Sequence, residues 1–256
     1  MKLLLSIIAI LAVIYLLAMS LLYVFQRTLL FPDVDDASGI DQQTITFKNN
    51  EIDLHGWVLN PGKHQAIIYF GGNAEQITNN IDLFEAELQE YSVYLVDYRG
   101  YGKSESKPTE TGLFSDALFI YDQIKPKHTS ISAIGRSLGS GVAVYLSAKR
   151  QIEKLVLLTP YDSIAEVAQS HYPFFPTRYL VRDKFESINY AKSITSPTLV
   201  VAAELDSVVP NIHTKKLLNE LINSEVKFQM VKNVTHGNIE ESEEYQAVLI
   251  DFFNTH

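Results

Sequence analysis

The chain of 256 residues contains no cysteine. A disulfide framework, a thiolate nucleophile and a cysteine-ligated zinc are therefore excluded. Positive charge is also scarce. Lys and Arg number 21 against 30 Asp and Glu, for a formal charge of -9 and a pI near 5.3. A nucleic-acid partner needs a clustered basic face to meet its phosphates, and the sequence has none, so partners are expected to be neutral or apolar. Internal repeats and low-complexity runs are missing too. "RGYGKS" (99–104) fails as a phosphate loop because its first glycine lies too close to Gly102-Lys103-Ser104 for G-x-x-x-x-G-K-S.

Apolar residues are plentiful. They make up 46% of the chain, enough to bury a substantial core, and the length suits one large domain with an appendage. The appendage is the run from Leu3 to Phe25, twenty-three uncharged residues softened only by Ser6, Tyr15, Ser20 and Tyr23. As a helix it would extend about 35 Å at ~1.5 Å per residue, which exceeds a ~30 Å hydrocarbon layer. A secretory signal peptide is the competing reading, with Lys2 as its positive start and Ala18 to Ser20 as small residues near a cleavage point. The apolar part of a signal peptide usually covers ~7 to 15 residues, whereas this run continues past that point, so an uncleaved single-pass anchor is expected. Lys2 and the terminal amine precede the run and Arg27 alone follows it. That balance places the main domain on the non-cytoplasmic side of a membrane.

Residues 1–32 are thus expected to form anchor and connector, and 33–256 the domain. After the turn-rich "FPDVDDASGIDQQ", strand and helix signals alternate. "QTITF" and "DLHGWVL" have period-two character, and six further buried strands are predicted: "AIIYF", "SVYLVD", "SISAIG", "KLVLLTP", "TLVVAA" and "VKFQMV". Helices are predicted through Ile77, Ile81, Phe84 and Leu88, through Leu118 and Ile124, over Leu138 to Lys149, and over about Glu241 to Phe253. Strands apolar on both faces that alternate with helices imply an α/β protein with a parallel sheet covered on both sides. One stretch breaks the alternation. Tyr161 to Ser193 is too long for a single-helix connection and rich in aromatics, and it reads as a small cap.

Between the "SISAIG" strand and the helix from Leu138, Gly135-Arg136-Ser137-Leu138-Gly139 matches G-x-S-x-G. The strand before and the helix after are what that motif needs. Glycines two residues to either side leave room for a strained corner, which would present the Ser137 hydroxyl at the carboxyl end of the sheet beside a helix N-terminus. Read blandly, the pentapeptide is an ordinary strand-to-helix turn; its context favours a nucleophile. A serine nucleophile needs a base, and the base an orienting acid. Asp206 in "ELDSVVP" and His236 in "NVTHGN" follow the last two strands in the order Ser, acid, His. Glu204 is the second choice for the acid; His213 and His171 are expected to be surface or pocket residues. The oxyanion needs two backbone donors, for which the amides of Leu138 and of Asn73 in "GGNAEQ" are the candidates. No metal and no organic cofactor is called for.

The chain resembles the alpha/beta-hydrolase family, and within it the small membrane-anchored, serine-aminopeptidase-like branch. The resemblance lies in "YFGGNAE", "VDYRGYGKSE", "IGRSLGSG", "ELDSVVP" and "THGN", together with "FQRTLLFPD" after the anchor and "YPFFPTRYLVRDKF" in the cap. Family members commonly have His-Gly-Asn where this chain has Gly71-Gly72-Asn73, and His-Gly before the acid turn where it has "AAELD". The resemblance implies an alpha/beta-hydrolase fold with a cap. Related dehalogenases and epoxide hydrolases carry aspartate at the corner, so Ser137 argues against both.

These residues point to a serine hydrolase that forms an acyl-enzyme. The aromatic cap, with Tyr161, Phe174 and Phe175 as candidate contacts, and the anchor together suggest an apolar acyl substrate. That could be a lipid ester or, as the resemblance to depalmitoylating hydrolases implies, a fatty thioester on an acylated protein. A peptidase of the same fold would need a carboxylate for a free amine, which Glu75, Glu166 or Asp162 could supply. A silent hydrolase fold that binds a partner at the membrane is the reading from another class, and a broken triad would be its mark.

Overall fold

The computed structural model describes residues 1–37 and 39–255. It begins with one helix, α1 (Lys2–Leu30). A strand pair follows, β1 (Gln43–Asn49) and β2 (Ile52–Leu59), and then β3 (Gln65–Phe70), α2 (Ile81–Glu87), β4 (Tyr91–Val96), α3 (Glu110–Ile124), β5 (Ser130–Arg136) and α4 (Leu138–Lys149). After β6 (Leu155–Leu158) three short helices interrupt the alternation: α5 (Ile164–His171), α6 (Thr177–Leu180) and α7 (Ile188–Ala191). The chain then resumes with β7 (Thr198–Ala203), α8 (Asn211–Glu220), β8 (Val226–Val231) and α9 (Glu243–Asn254).

The strands form one sheet in the order β1-β2-β4-β3-β5-β6-β7-β8. Pairing is antiparallel from β1 to β4 and parallel from there on. Successive side chains of a strand face opposite ways, so each buried strand feeds two cores. In β3, Ala66, Ile68 and Phe70 join the core under α3, α4 and α8, while Ile67 and Tyr69 join the one under α2 and α9. Fully burying one such side chain is worth roughly 1.5–3 kcal/mol, which is why these strands read as unbroken apolar runs.

Two expectations need correction. "VKFQMV" forms β8 at the edge of the sheet, so only Val231 of it is buried and the strand is mostly half-covered rather than interior. The apolar N-terminal run also continues as helix beyond Phe25 to Leu30. It does so because the following residues find partners in the domain: Arg27 pairs with Asp183, and Phe31 is buried with its ring edge-on to Phe185.

The order β4-β3-β5 reverses direction at β3. In open α/β sheets such a switch opens a crevice at the carboxyl ends of the strands, here the ends of β3 and β5.

Candidate active site

At the end of β5 the backbone turns abruptly. Ser137 adopts φ 48° and ψ -116°, a conformation that costs a non-glycine residue about 1–3 kcal/mol. Its neighbours hold it there. The Ser137 N–H donates to the carbonyl of Leu158 at 2.8 Å, and its own carbonyl accepts the Ser140 hydroxyl at 2.6 Å. Gly139 is required by close approach, since a Cβ there would overlap the carbonyl of Phe70 at the end of β3. The start of α4 is thereby brought against β3, with its first amides beside the Ser137 hydroxyl.

Two later loops converge on that hydroxyl. His236, after β8, has Nε2 2.9 Å from Ser137 Oγ and Nδ1 2.8 Å from Asp206 Oδ2. The second oxygen of Asp206 accepts the N–H groups of Val208 and Val209 at 2.9 and 2.7 Å, which fixes the turn after β7. Glu204 takes no part in this arrangement. It points along the other side of the loop and accepts the Asn233 N–H at 3.0 Å. The N–H groups of Leu138 and Asn73 have no acceptor among the described residues, and both residues border the same cavity as Ser137 and His236.

Behind the corner lies a buried charge cluster that the sequence reading did not assemble. Arg136 reaches Glu75 at 3.2 Å and Glu240 at 2.9 Å, and donates to the carbonyl of His236 at 3.4 Å. Glu75 also accepts the Tyr69 hydroxyl at 2.6 Å, the Asn80 amide at 2.8 Å and the Gly72 N–H at 2.5 Å. One arginine therefore ties together the corner, the Gly71–Asn73 loop and the histidine loop. Burial, reinforced by the nearby charge of Glu75, pushes Glu240 up to about 7. Arg136 and Glu75 both lie inside the quoted motifs, but nothing in either motif shows that they meet.

A cavity of about 590 Å³ opens beside Ser137, within the ~300–1,000 Å³ usual for small-molecule sites. Phe175 lines it. Phe174 does not, because its ring projects outward and is 86% exposed. Tyr161 is fully buried beneath the corner, donates to the Leu138 carbonyl at 3.0 Å and packs against Gly141, so it supports α4 rather than contacting the cavity.

No protein-family model matches the chain. An uncharacterized protein of Mycobacterium tuberculosis is 33% identical over 207 residues, covering 75% of this chain and 74% of the relative. The lysophosphatidylserine lipase ABHD12 of Danio rerio is 33% identical over 224 residues, covering 74% of this chain; this chain spans 58% of that lipase. An esterase from Pyrococcus furiosus superposes with a TM-score of 0.66 over 87% of this chain and 97% of its own, at 16% identity, which shows likeness of fold. The chain belongs to the alpha/beta-hydrolase family.

Two histidines weighed against His236 have other places in this alpha/beta hydrolase. His213 is buried rather than on the surface or in the cavity, with Nδ1 2.7 Å from Asp162 and Nε2 2.9 Å from the Ser170 hydroxyl, and so fastens α8 to the cap. His171 borders the cavity, where its Nε2 meets the Val208 carbonyl at 2.8 Å. The carboxylates considered for a substrate amine are already engaged. Glu75 is held by Arg136, Glu166 pairs with Arg178 at 2.5 Å, and Asp162 lies between His213 and Lys216.

Proposed function

We propose that this alpha/beta hydrolase is a serine hydrolase that cleaves the ester of a single-chain acyl lipid. The observation that carries the reading is the run of hydrogen bonds Ser137–His236–Asp206, at 2.9 and 2.8 Å, on a strained corner facing an apolar cavity. His236 takes the hydroxyl proton as Ser137 Oγ attacks the carbonyl carbon. Asp206 holds the imidazole in register and offsets the positive charge it gains. The amides of Leu138 and Asn73 receive the oxyanion, whose stabilisation is usually the largest single contribution in acyl transfer. The alcohol departs with the proton from His236, leaving Ser137 acylated. Water, activated by the same imidazole, then releases the fatty acid.

The substrate class is supported by the apolar walls of the cavity and by the similarity to a lysophosphatidylserine lipase. Aminopeptidase action would need a free carboxylate for the substrate ammonium. Asp183, the acidic residue bordering the cavity among the described residues, is neutralised by Arg27. The helix α1 is long and apolar enough to cross a membrane. We place residues 1–32 as an uncleaved anchor and connector, 33–256 as the hydrolase domain, and that domain on the non-cytoplasmic side.

A fluorophosphonate probe tests the reading on the full-length protein. Ser137 should be labelled, and Ser137→Ala should abolish labelling and lower ester turnover by about a millionfold. Labelling that survives the substitution would move the nucleophile elsewhere.

A further inference from the structure

The cavity beside Ser137 is not enclosed by the catalytic domain alone. Met19, Leu22, Tyr23, Gln26, Leu29 and Leu30 of α1 line part of it, together with Phe175 and Leu180 of the cap segment. The contact is regular. Ala18, Leu22, Gln26 and Leu30 recur every fourth residue, which places them on one helical face, and these four together with Met19 are half-buried while the rest of α1 is exposed. Tyr15 stacks on Phe175 with ring centroids 5.2 Å apart and donates its hydroxyl to the Phe174 carbonyl at 2.9 Å. Gln26 accepts the Arg182 N–H at 2.7 Å, and Arg27 closes the end of the contact on Asp183 at 2.7 Å.

Helix geometry sets the depth of this contact. Lys2 bounds the uncharged run with a charge that belongs at the edge of the hydrocarbon layer, and from there to Ile14, ahead of the first cap contact, α1 extends about 20 Å at ~1.5 Å per residue, short of the ~30 Å layer. The missing ~10 Å has to come from Tyr15 to about Leu21, the part of the helix that opens with the Tyr15 contact to Phe174 and Phe175. This edge of the cap therefore shares the bilayer with the helix. Its surface suits that setting, since Phe174 is 86% and Tyr179 79% exposed. About two turns beyond Tyr15, Tyr23 stacks under Arg182 at 4.3 Å, the pairing of aromatic and cation expected at the headgroup level.

We propose that the membrane helix is itself a wall of the acyl site, and that the acyl chain of a lipid enters the cavity along α1 from the bilayer without passing through water. This rests on the serine hydrolase reading for the chemistry, but the route is a separate claim. It makes Leu22 and Leu29 determinants of acyl length, with Phe174 and Tyr179 as the immersed edge.

The test uses the full-length chain in phosphatidylcholine vesicles. Because the protein has no cysteine, a nitroxide can be placed at one position with no background. On Phe174→Cys it should be relaxed more by oxygen, which concentrates in lipid, than by a water-soluble nickel chelate. On Ile222→Cys, at the opposite end of the sheet, the order should reverse. An aqueous signal at 174 overturns the proposal whether or not the protein is active. In parallel, Leu22→Trp and Leu29→Trp should each lower the ratio of laurate to acetate ester hydrolysis by about tenfold, and Leu22→Ala, which removes volume, should move the preference toward longer chains. An unchanged ratio in all three also overturns it. If neither ester is cleaved and Ser137 takes no probe, the hydrolase reading fails instead, and the nitroxide depth still decides the route.

Discussion

Arg27, in the last turn of α1, holds the carboxylate of Asp183 at 2.7 Å, and the same carboxylate accepts the Glu110 N–H at the start of α3 at 2.9 Å. The side chain of Asp183 is 5% exposed and that of Arg27 45%, so the acid depends on the pair more than the base does. Removing the arginine leaves a nearly buried charge with the Glu110 N–H as its donor among the described residues. Water can reach the arginine's side of the pair and recovers part of the loss, so Arg27→Met should cost about 1–2 kcal/mol. Thermal unfolding of the detergent-solubilised full chain measures it. Combined with Asp183→Asn the loss should be well below the sum of the two single changes; simple additivity would show that the pair carries no coupling.

The choice of acid is a matter of direction along one loop. Asp206 faces His236 at 2.8 Å while Glu204, two residues earlier, binds the Asn233 N–H. Asp206→Asn should lower turnover by about ten-thousandfold through loss of imidazole orientation, and Glu204→Gln by less than about tenfold. Steady-state hydrolysis of a short ester distinguishes them, and the reverse ranking would reassign the role.

Much of this was legible in the sequence, for identifiable reasons. Buried parallel strands are apolar on both faces, so β3 to β7 stood out as runs, and the glycines around Ser137 are there because Phe70 and the first turn of α4 leave no room for side chains. Long-range pairings were not legible. Residues 61 apart, such as Arg136 and Glu75, carry no local mark of their contact. Tyr161 and Phe174 have the composition of pocket residues, yet one turns under α4 and the other outward, because side-chain direction in irregular segments has no period to read. The contact face of α1 was hidden for a related reason: in a helix that is apolar all round, the leucines that wall a cavity are not set apart from the rest by any period.

Asp97, at the end of β4, should make stability fall with rising pH. Burial, aided by the charge of Asp36, raises its carboxyl from 3.8 to about 7. Between those values the folded state keeps a proton that the unfolded chain has lost. The folded state is therefore favoured below about pH 4, and that advantage disappears by about pH 7, amounting to at most about 4 kcal/mol. Asp97→Asn keeps the shape and removes the titration. Melting curves from pH 4 to 8 should show the variant gaining on the parent as pH rises, and parallel curves would contradict the assignment.

Glu75 offers a sharper test of what surrounds the corner, because it touches no reacting atom. It holds the Gly72 N–H and Arg136, and so positions the Asn73 amide relative to Ser137. Glu75→Gln retains an acceptor for Gly72 but takes away the charge that Arg136 shares between two carboxylates. A misplacement of about 1 Å at such a site costs up to about a hundredfold, so kcat should fall by about ten- to a hundredfold with little change in KM. Loss of folded protein would also lower kcat, which is why a second readout is needed. With Glu75 neutral, one cause of the raised Glu240 carboxyl is gone while its bond to Arg136 remains, so Glu240 should ionise at lower pH. Any limb of the activity profile that follows Glu240 must then shift toward acid. A reduced kcat with an unmoved pH profile and an unaltered rate of fluorophosphonate labelling would mean that Glu75 supports only the fold.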